Sequence, residues 1–431
     1  MKQFVKFAKS LPNLCCIVFY LIFIMPLLLY GQERELYFTI SVPIDYTNPK
    51  VGKTTVSYEL AAPFSKNKAT IFIIADAQQF YVRQGAAKDL QVTLLDTSFN
   101  VVAIINRSNN SDLKSLVTDN DGNIDWQKAH HVYSWYQYIN DINEVRKKIV
   151  GNAGKINLLG QSGGGFLIHQ FLSIYGQYVD KAFTASPVNY HLEAALGINH
   201  DRFWGETSAS IPDFSDKIKQ LIAQGTIERE NIVMLFQRQH FFVAPDSLPS
   251  EREKLLNILI NNDTNLIKQY QEKYQIKAIQ QFYTSAAGIP IKVRLFEFIF
   301  PLLNKMCNKE NILMPDIENL YFSSQPLTTL YQEQKIQPRI MDFKPLHSLK
   351  TNVFVLAGKW DHTVDYRTQI ALAFCYPNHT LFIADDNHTF TNLKSSGQYQ
   401  KLILLFFKSD TTQQIQAHIE TAFSEYRWIE Q

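Results

Sequence analysis

Residues 156–172 read I-N-L-L-G-Q-S-G-G-G-F-L-I-H-Q-F-L. Ile156 to Leu159 form a short continuous apolar run, which suits a strand buried on both faces. Gly160, Gln161, Ser162, Gly163 and Gly164 then make G-x-S-x-G, and Phe166, Leu167, Phe171 and Leu172 recur behind it at helical spacing. A strand that turns sharply into a helix lifts Ser162 above the sheet edge in a strained backbone, and glycines on either side leave it room. The three letters alone arise by accident in roughly a tenth of chains this long. It is the strand before and the helix after that make Ser162 read as a nucleophile rather than a structural turn.

Working outward, Thr70–Ile74 and Val101–Ile105 are apolar runs of the same buried kind. Trp135, Ile139, Ile142, Val145 and Ile149 carry one apolar stripe between the second of these and Ile156, so strand, helix and strand form a parallel crossover. Upstream, Leu36–Val42 and Thr54–Leu60 alternate apolar and polar residues, as half-buried antiparallel strands do. Downstream, buried strands return at Asn352–Leu356 and Thr380–Ile383, followed by a helical C-terminus from about Gln398. From 189 to 345 the patterns are helical, with a capping box expected at Ser250–Glu253 and a segment from Val293 to Leu303 apolar nearly all round. The expected architecture is α/β, a mostly parallel twisted sheet flanked by helices, with a large helical segment inserted after the sixth strand. Its expected parts are 32–188 and 346–431 as the two halves of the core and 189–345 as the insertion.

A serine hydroxyl is a poor nucleophile without a base, and the base needs an acid to hold its tautomer. Asp361 follows the strand ending near Ala357, and His388 follows the next strand, after Asp385, Asp386 and Asn387. Both lie where strand ends deliver side chains to the rim that carries Ser162. Asp365 is the competing acid. His130, His131, His191, His200, His240 and His362 read as solvated loop residues, and His169 as surface or packed. No zinc-ligand spacing is present, so neither a metal nor a cofactor is expected. Asn387 opens an Asn-His-Thr sequon, read as unmodified because a glycan would block the base.

Composition sets outer limits. Of 431 residues, 46% are hydrophobic and 19% charged at a net charge of +2, which excludes a disordered tail and a basic nucleic-acid binder. Lys2, Lys6 and Lys9 precede an uncharged apolar run from Leu14 to Tyr30, the parts of a secretory signal over residues 1–31. Export to a periplasm or beyond the cell is expected, with an uncleaved membrane anchor as the alternative. Cys15 and Cys16 leave with a cleaved signal, whereas Cys307 and Cys375 remain, either paired or as buried free thiols.

At this point the chain resembles the α/β-hydrolase superfamily, and within it the prolyl and tripeptidyl aminopeptidase-like serine peptidases. Four passages carry the likeness: Val42–Pro49 (VPIDYTNP), Gly160–Gly164, Gly358–Asp361 and Asn387–Phe390 (NHTF). The resemblance implies Ser162 as nucleophile, His388 as base, Asp361 as orienting acid and the insert as a cap over the site. It also implies an oxyanion hole from the backbone N–H of Gly163 and of a turn residue after the third strand. That turn is glycine-rich in the family and here reads Ala75-Asp76-Ala77-Gln78-Gln79, which makes Ala77 the expected second donor. Asp76, if turned toward the cap, is expected to bind a substrate's ammonium. Asn106, Arg107 and Ser108 echo the family's arginine-containing loop. The expected activity is hydrolysis of short peptides or another small-molecule substrate through an acyl-enzyme. A carboxylic ester hydrolase and a noncatalytic binding protein with a degraded oxyanion loop are the alternatives.

Overall fold

The computed structural model describes residues 36–197, 203, 207, 209–285, 288–303 and 315–428. The N-terminal segment 1–31, His200 and Cys307 lie outside the described residues. Eight strands form one sheet: β1 (Tyr37–Pro43), β2 (Lys53–Leu60), β3 (Thr70–Ile74), β4 (Asn100–Ile105), β5 (Ile156–Gln161), β6 (Val179–Ala185), β7 (Asn352–Gly358) and β8 (His379–Ala384). Their order across the sheet is β1-β2-β4-β3-β5-β6-β7-β8. β2 pairs antiparallel with both β1 and β4, and every other pairing is parallel. This is the α/β-hydrolase fold that the sequence leads one to expect.

The apolar runs become central strands because both faces of the sheet are covered. On β3, Phe72 and Ile74 join one core with the helices Trp135–Val150 and Gly163–Tyr175. Ile71 and Ile73 point the other way, into a core shared with the helix Gln398–Lys408 through Leu402, Ile403 and Phe406. Alternation along a strand with two apolar faces gives an unbroken apolar sequence. The helix Trp135–Val150 buries Trp135, Ile139, Ile142 and Val145, four members of the expected stripe, and leaves Ile149 half-buried.

Between β6 and β7 the named elements are all helical. They include Arg229–Phe242, Leu248–Ile260, Gly288–Ile299 and Pro315–Ser323. The capping box expected at Ser250–Glu253 does not form. The helix starts three residues earlier, at Leu248 with Ser247 as its N-cap and Pro249 in its first turn, and the Ser250 hydroxyl donates back to the carbonyl of Ser247 at 3.0 Å. Proline suits the first turn, where its missing N–H costs nothing, and that moves the cap position off Ser250. Among the described residues, no helix is long and apolar enough to cross a membrane.

The VPIDYTNP passage is a structural junction. Asp45 accepts from Thr47 N, Gln137 Nε2 and Thr47 Oγ1, and lies 2.6 Å from His131 Nε2. Burial alone would raise its pKa, but these hydrogen bonds outweigh it and bring the carboxyl down to about 2. Arg107, fully buried, forks onto Asp141 with two contacts of 2.7 Å and donates to the carbonyls of Pro43, Ile44 and Val132. Tyr46 donates to the same Asp141 at 2.9 Å. A planar fork of donors explains why an arginine stands here: it satisfies a buried carboxylate and three carbonyls together.

Candidate active site

Ser162 sits between β5 and the helix Gly163–Tyr175 with φ 53° and ψ −119°, a conformation that L side chains rarely adopt. Three backbone hydrogen bonds hold it there. Its N–H donates to Ala185 O at 2.8 Å, and its carbonyl accepts from Phe166 N at 3.0 Å and Val188 N at 3.2 Å. The hydroxyl is thereby raised over the C-terminal edge of the parallel strands, half-buried.

Asp361 and His388 arrive from the ends of β7 and β8. His388 Nε2 lies 3.0 Å from Ser162 Oγ, and His388 Nδ1 lies 2.8 Å from Asp361 Oδ2. The other carboxylate oxygen of Asp361 accepts from Thr363 N and Val364 N, both at 2.9 Å, so the acid is fixed by its own turn. Gly358 lets the two loops meet, since a Cβ there would stand 2.8 Å from the carbonyl oxygens of both Asp386 and Asn387. The carbonyl of His388 accepts from Gln161 Nε2 at 3.0 Å, which ties the base to the nucleophile's own strand.

The competing acid goes elsewhere. Asp365 is the N-cap of the helix Tyr366–Ala373 and accepts from Arg367 through N, Nε and Nη2 at 2.7, 2.9 and 2.7 Å. Nor are the loop histidines mostly solvated, as expected from sequence. His130, His191, His240 and His362 are buried, and of the described ones only His131 is exposed as expected, its ring meeting Asp45. Burial holds His130 and His191 down at about 4 and His169 at about 3. These imidazoles are therefore neutral groups packed inside the fold, His130 edge-on to Phe296. His191, for example, lies 2.9 Å from Glu297 O and accepts from Met341 N at 3.2 Å. Apolar neighbours far along the chain bury them, which loop residues viewed alone do not reveal. Among the described residues, no three His, Cys, Asp or Glu side chains are grouped to hold a metal.

The turn after β3 departs from expectation at two residues. Ala77 N–H donates to Asp76 Oδ1 at 2.7 Å, so the expected second oxyanion donor is already committed. Asp76 is fully buried, and the same Oδ1 accepts from Arg294 Nε of the insert at 2.7 Å. Its partner is thus a cation of this chain instead of a substrate's ammonium. Burial pushes the Asp76 carboxyl up, and Arg294 pulls it only part of the way back. Arg294 in turn meets Glu297 at 2.5 Å, and both oxygens of Glu297 accept from Trp135 N at 3.0 Å.

Gln79, a member of that turn to which the sequence assigned no role, joins it to the nucleophile. Its Oε1 accepts from Asp76 N at 2.9 Å and Gly164 N at 3.0 Å, and its Nε2 donates to Gln161 O at 2.8 Å. The signal was present in the three consecutive glycines after Ser162. A Cβ on Gly164 would overlap the carbonyl oxygen of Ile74, and one on Gly163 would overlap the Gln78 carboxamide and stand 2.6 Å from Asp76 Oδ2. Bulk lost at the elbow is bulk gained by the turn. Gly163 N–H, at the start of its helix, has no partner in a preceding helical turn and is oriented with the elbow.

No family model matches the chain, and no curated protein matches it either. Among solved structures, it is similar to MGS-M2, an alpha/beta hydrolase enzyme from a Medee basin deep-sea metagenome library, at 13% identity and a TM-score of 0.42, covering 83% of this chain and 95% of that one. An acetylester hydrolase from Corynebacterium glutamicum gives 12% identity and 0.41, over 86% of this chain and 96% of the other. An alpha/beta fold family hydrolase from Bacillus anthracis gives 15% and 0.38, over 86% and 100%. It is the strand order and the strand, turn and helix at Ser162 that give this chain its α/β-hydrolase fold.

Proposed function

We propose that the protein is a serine hydrolase that forms an acyl-enzyme on Ser162. The observation that supports this is the chain of two hydrogen-bond distances, 3.0 Å from Ser162 Oγ to His388 Nε2 and 2.8 Å from His388 Nδ1 to Asp361 Oδ2. Both lie within the reach a nucleophile and its base require. His388 takes the Ser162 proton as Oγ bonds to the substrate carbonyl carbon, and the carbonyl electron pair moves to its oxygen. When that pair returns, the bond to the leaving alcohol or amine breaks, and His388 gives the proton to the leaving group. Water, deprotonated by the same imidazole, then adds to the acyl carbon; the bond to Ser162 Oγ breaks, His388 returns the proton to Oγ, and the acid leaves. Asp361 keeps the Nδ1 proton in place and stabilises the imidazolium.

Short peptides are the first substrate class, supported by the VPIDYTNP passage and the size of the helical insert. One observation favours carboxylic esters as a second reading: Asp76, the carboxylate of the turn after β3, is fully buried and its charge is paired with Arg294, so it is not presented as an anchor for an α-ammonium. Fluorogenic aminoacyl amides and short acyl esters separate the two, and turnover of esters alone removes the peptidase reading. A fluorophosphonate should label the wild type and not Ser162→Ala; equal labelling of both excludes Ser162 as the nucleophile. If activated esters also give no burst, the noncatalytic binding protein is what remains. Export is proposed on the N-terminal sequence, and the mass of the mature N-terminus after cell fractionation tests it.

A further inference from the structure

We infer that the side-chain carboxamide of Gln78 supplies the second oxyanion donor, beside the backbone N–H of Gly163. This rests on the serine-hydrolase reading and names a residue that neither the motif nor the resemblance assigns. An oxyanion hole needs two preorganised donors aimed at one developing charge. Gly163 can give one. The usual second, a backbone N–H of the turn after β3, is spent at Ala77 on Asp76 Oδ1 at 2.7 Å.

The Gln78 carboxamide stands where a replacement must stand. A Cβ on Gly163 would overlap Gln78 Nε2, which is nearer to that point than Asp76 Oδ2 at 2.6 Å. Covalent geometry puts such a Cβ about 2.5 Å from the Gly163 nitrogen, so the two nitrogens lie no more than about 5 Å apart. Two N–H groups that share one oxygen at about 2.9 Å each tolerate separations up to about 5.8 Å. The spacing therefore fits a shared acceptor. Gln78 as a residue is half-buried, like Ser162.

Two further observations bear on the charge. Gln78 Oε1 is buried with no hydrogen-bond partner among the described residues, and the side chain hydrogen-bonds the Asp76 carboxylate through its amide nitrogen, which leaves the second N–H of that nitrogen for an oxyanion. Asp76 Oδ2 lies on the same side of Gly163, and a bare carboxylate there would oppose the oxyanion. Arg294, whose Nε is 2.7 Å from Asp76 Oδ1, supplies the opposite charge from within the insert. As Ser162 Oγ bonds to the carbonyl carbon, the negative oxygen meets two N–H donors over a neutralised carboxyl.

The test uses the purified full chain, an activated short acyl ester, and Gln78→Met and Gln78→Glu. Gln78→Met keeps the length and removes the donor. It should lower kcat by about a hundredfold with KM within about threefold, at an unchanged thermal midpoint. Gln78→Glu should be worse at neutral pH, and its activity relative to wild type should climb as pH falls, because a protonated carboxyl again donates. That ratio has its own reference and holds even if Gln78→Met folds poorly. A Gln78→Met variant with wild-type kcat overturns the inference, as does a Gln78→Glu ratio flat with pH. Either result with a normal wild-type burst leaves the serine-hydrolase reading intact, whereas a wild type with neither burst nor fluorophosphonate labelling removes that reading itself.

Discussion

The difference between Asp361 and Asp365 is four residues and one turn, and it separates two jobs. Asp361 sits in the turn that closes on its own carboxylate and presents the second oxygen to His388. Asp365 starts a helix and faces Arg367. Asp361→Asn should lower kcat on the order of 10⁴-fold, because the imidazole is then held in the wrong tautomer. Asp365→Asn keeps a residue suited to the cap, so it should change stability by under about 1 kcal/mol and leave kcat within a few-fold. Steady-state kinetics and urea midpoints on both variants check this, and a large kcat loss in Asp365→Asn would reverse the assignment. The sequence ranked Asp361 first on strand order alone. Gln79 was not legible in that way, because its acceptor carbonyl at Gln161 lies 82 positions along the chain.

At the scale of elements, the strands were readable because each needs only its own composition to say that both faces are covered. The capping box failed because Pro249 moved the helix start, a contest between neighbours that a motif does not weigh. The contact between the helices Gly288–Ile299 and Trp135–Val150 carries a pH dependence of its own. Burial raises Glu297 from 4.5 to about 8, against the opposing pull of Arg294 and Trp135 N. A carboxyl whose folded pKa lies above its unfolded value stabilises the fold when protonated, so this contribution is full below about 4.5 and is lost as pH rises toward 8. Glu297→Gln keeps an acceptor for Trp135 N and does not titrate. The fall in stability between those limits, on the order of a few kcal/mol, should flatten in this variant. Denaturation midpoints at several pH values report it, and parallel wild-type and variant curves would refute it.

In the whole molecule, the insert is continuous in sequence but divided in packing. Ile289, Ile291, Phe296, Phe298 and Leu303 belong to the same core as Phe72, Tyr138 and Phe166 of the sheet and its helices. Phe214, Ile218, Leu235, Phe236, Leu255 and Leu259 form a separate core within the insert. A unit with its own small core opens more readily than one merged with the sheet. Amides of Phe214–Gln224 and Leu248–Ile260 should therefore exchange through a partial opening with a lower free energy and a smaller denaturant dependence than global unfolding, while those of Gly288–Ile299 exchange only on global unfolding. Native-state hydrogen exchange across a denaturant series distinguishes these, and equal opening free energies for all three helices would contradict the division. By itself the sequence determined the order of strands and helices, the place of the insertion and the three candidate residues, since periodicity and short motifs are local properties of a chain. Tertiary structure alone decided which core each half of the insert joins, why Asp76 is neutralised and which side chains surround Gly163. Those outcomes depend on contacts between segments hundreds of residues apart, such as Asp76 with Arg294, and no local pattern specifies them.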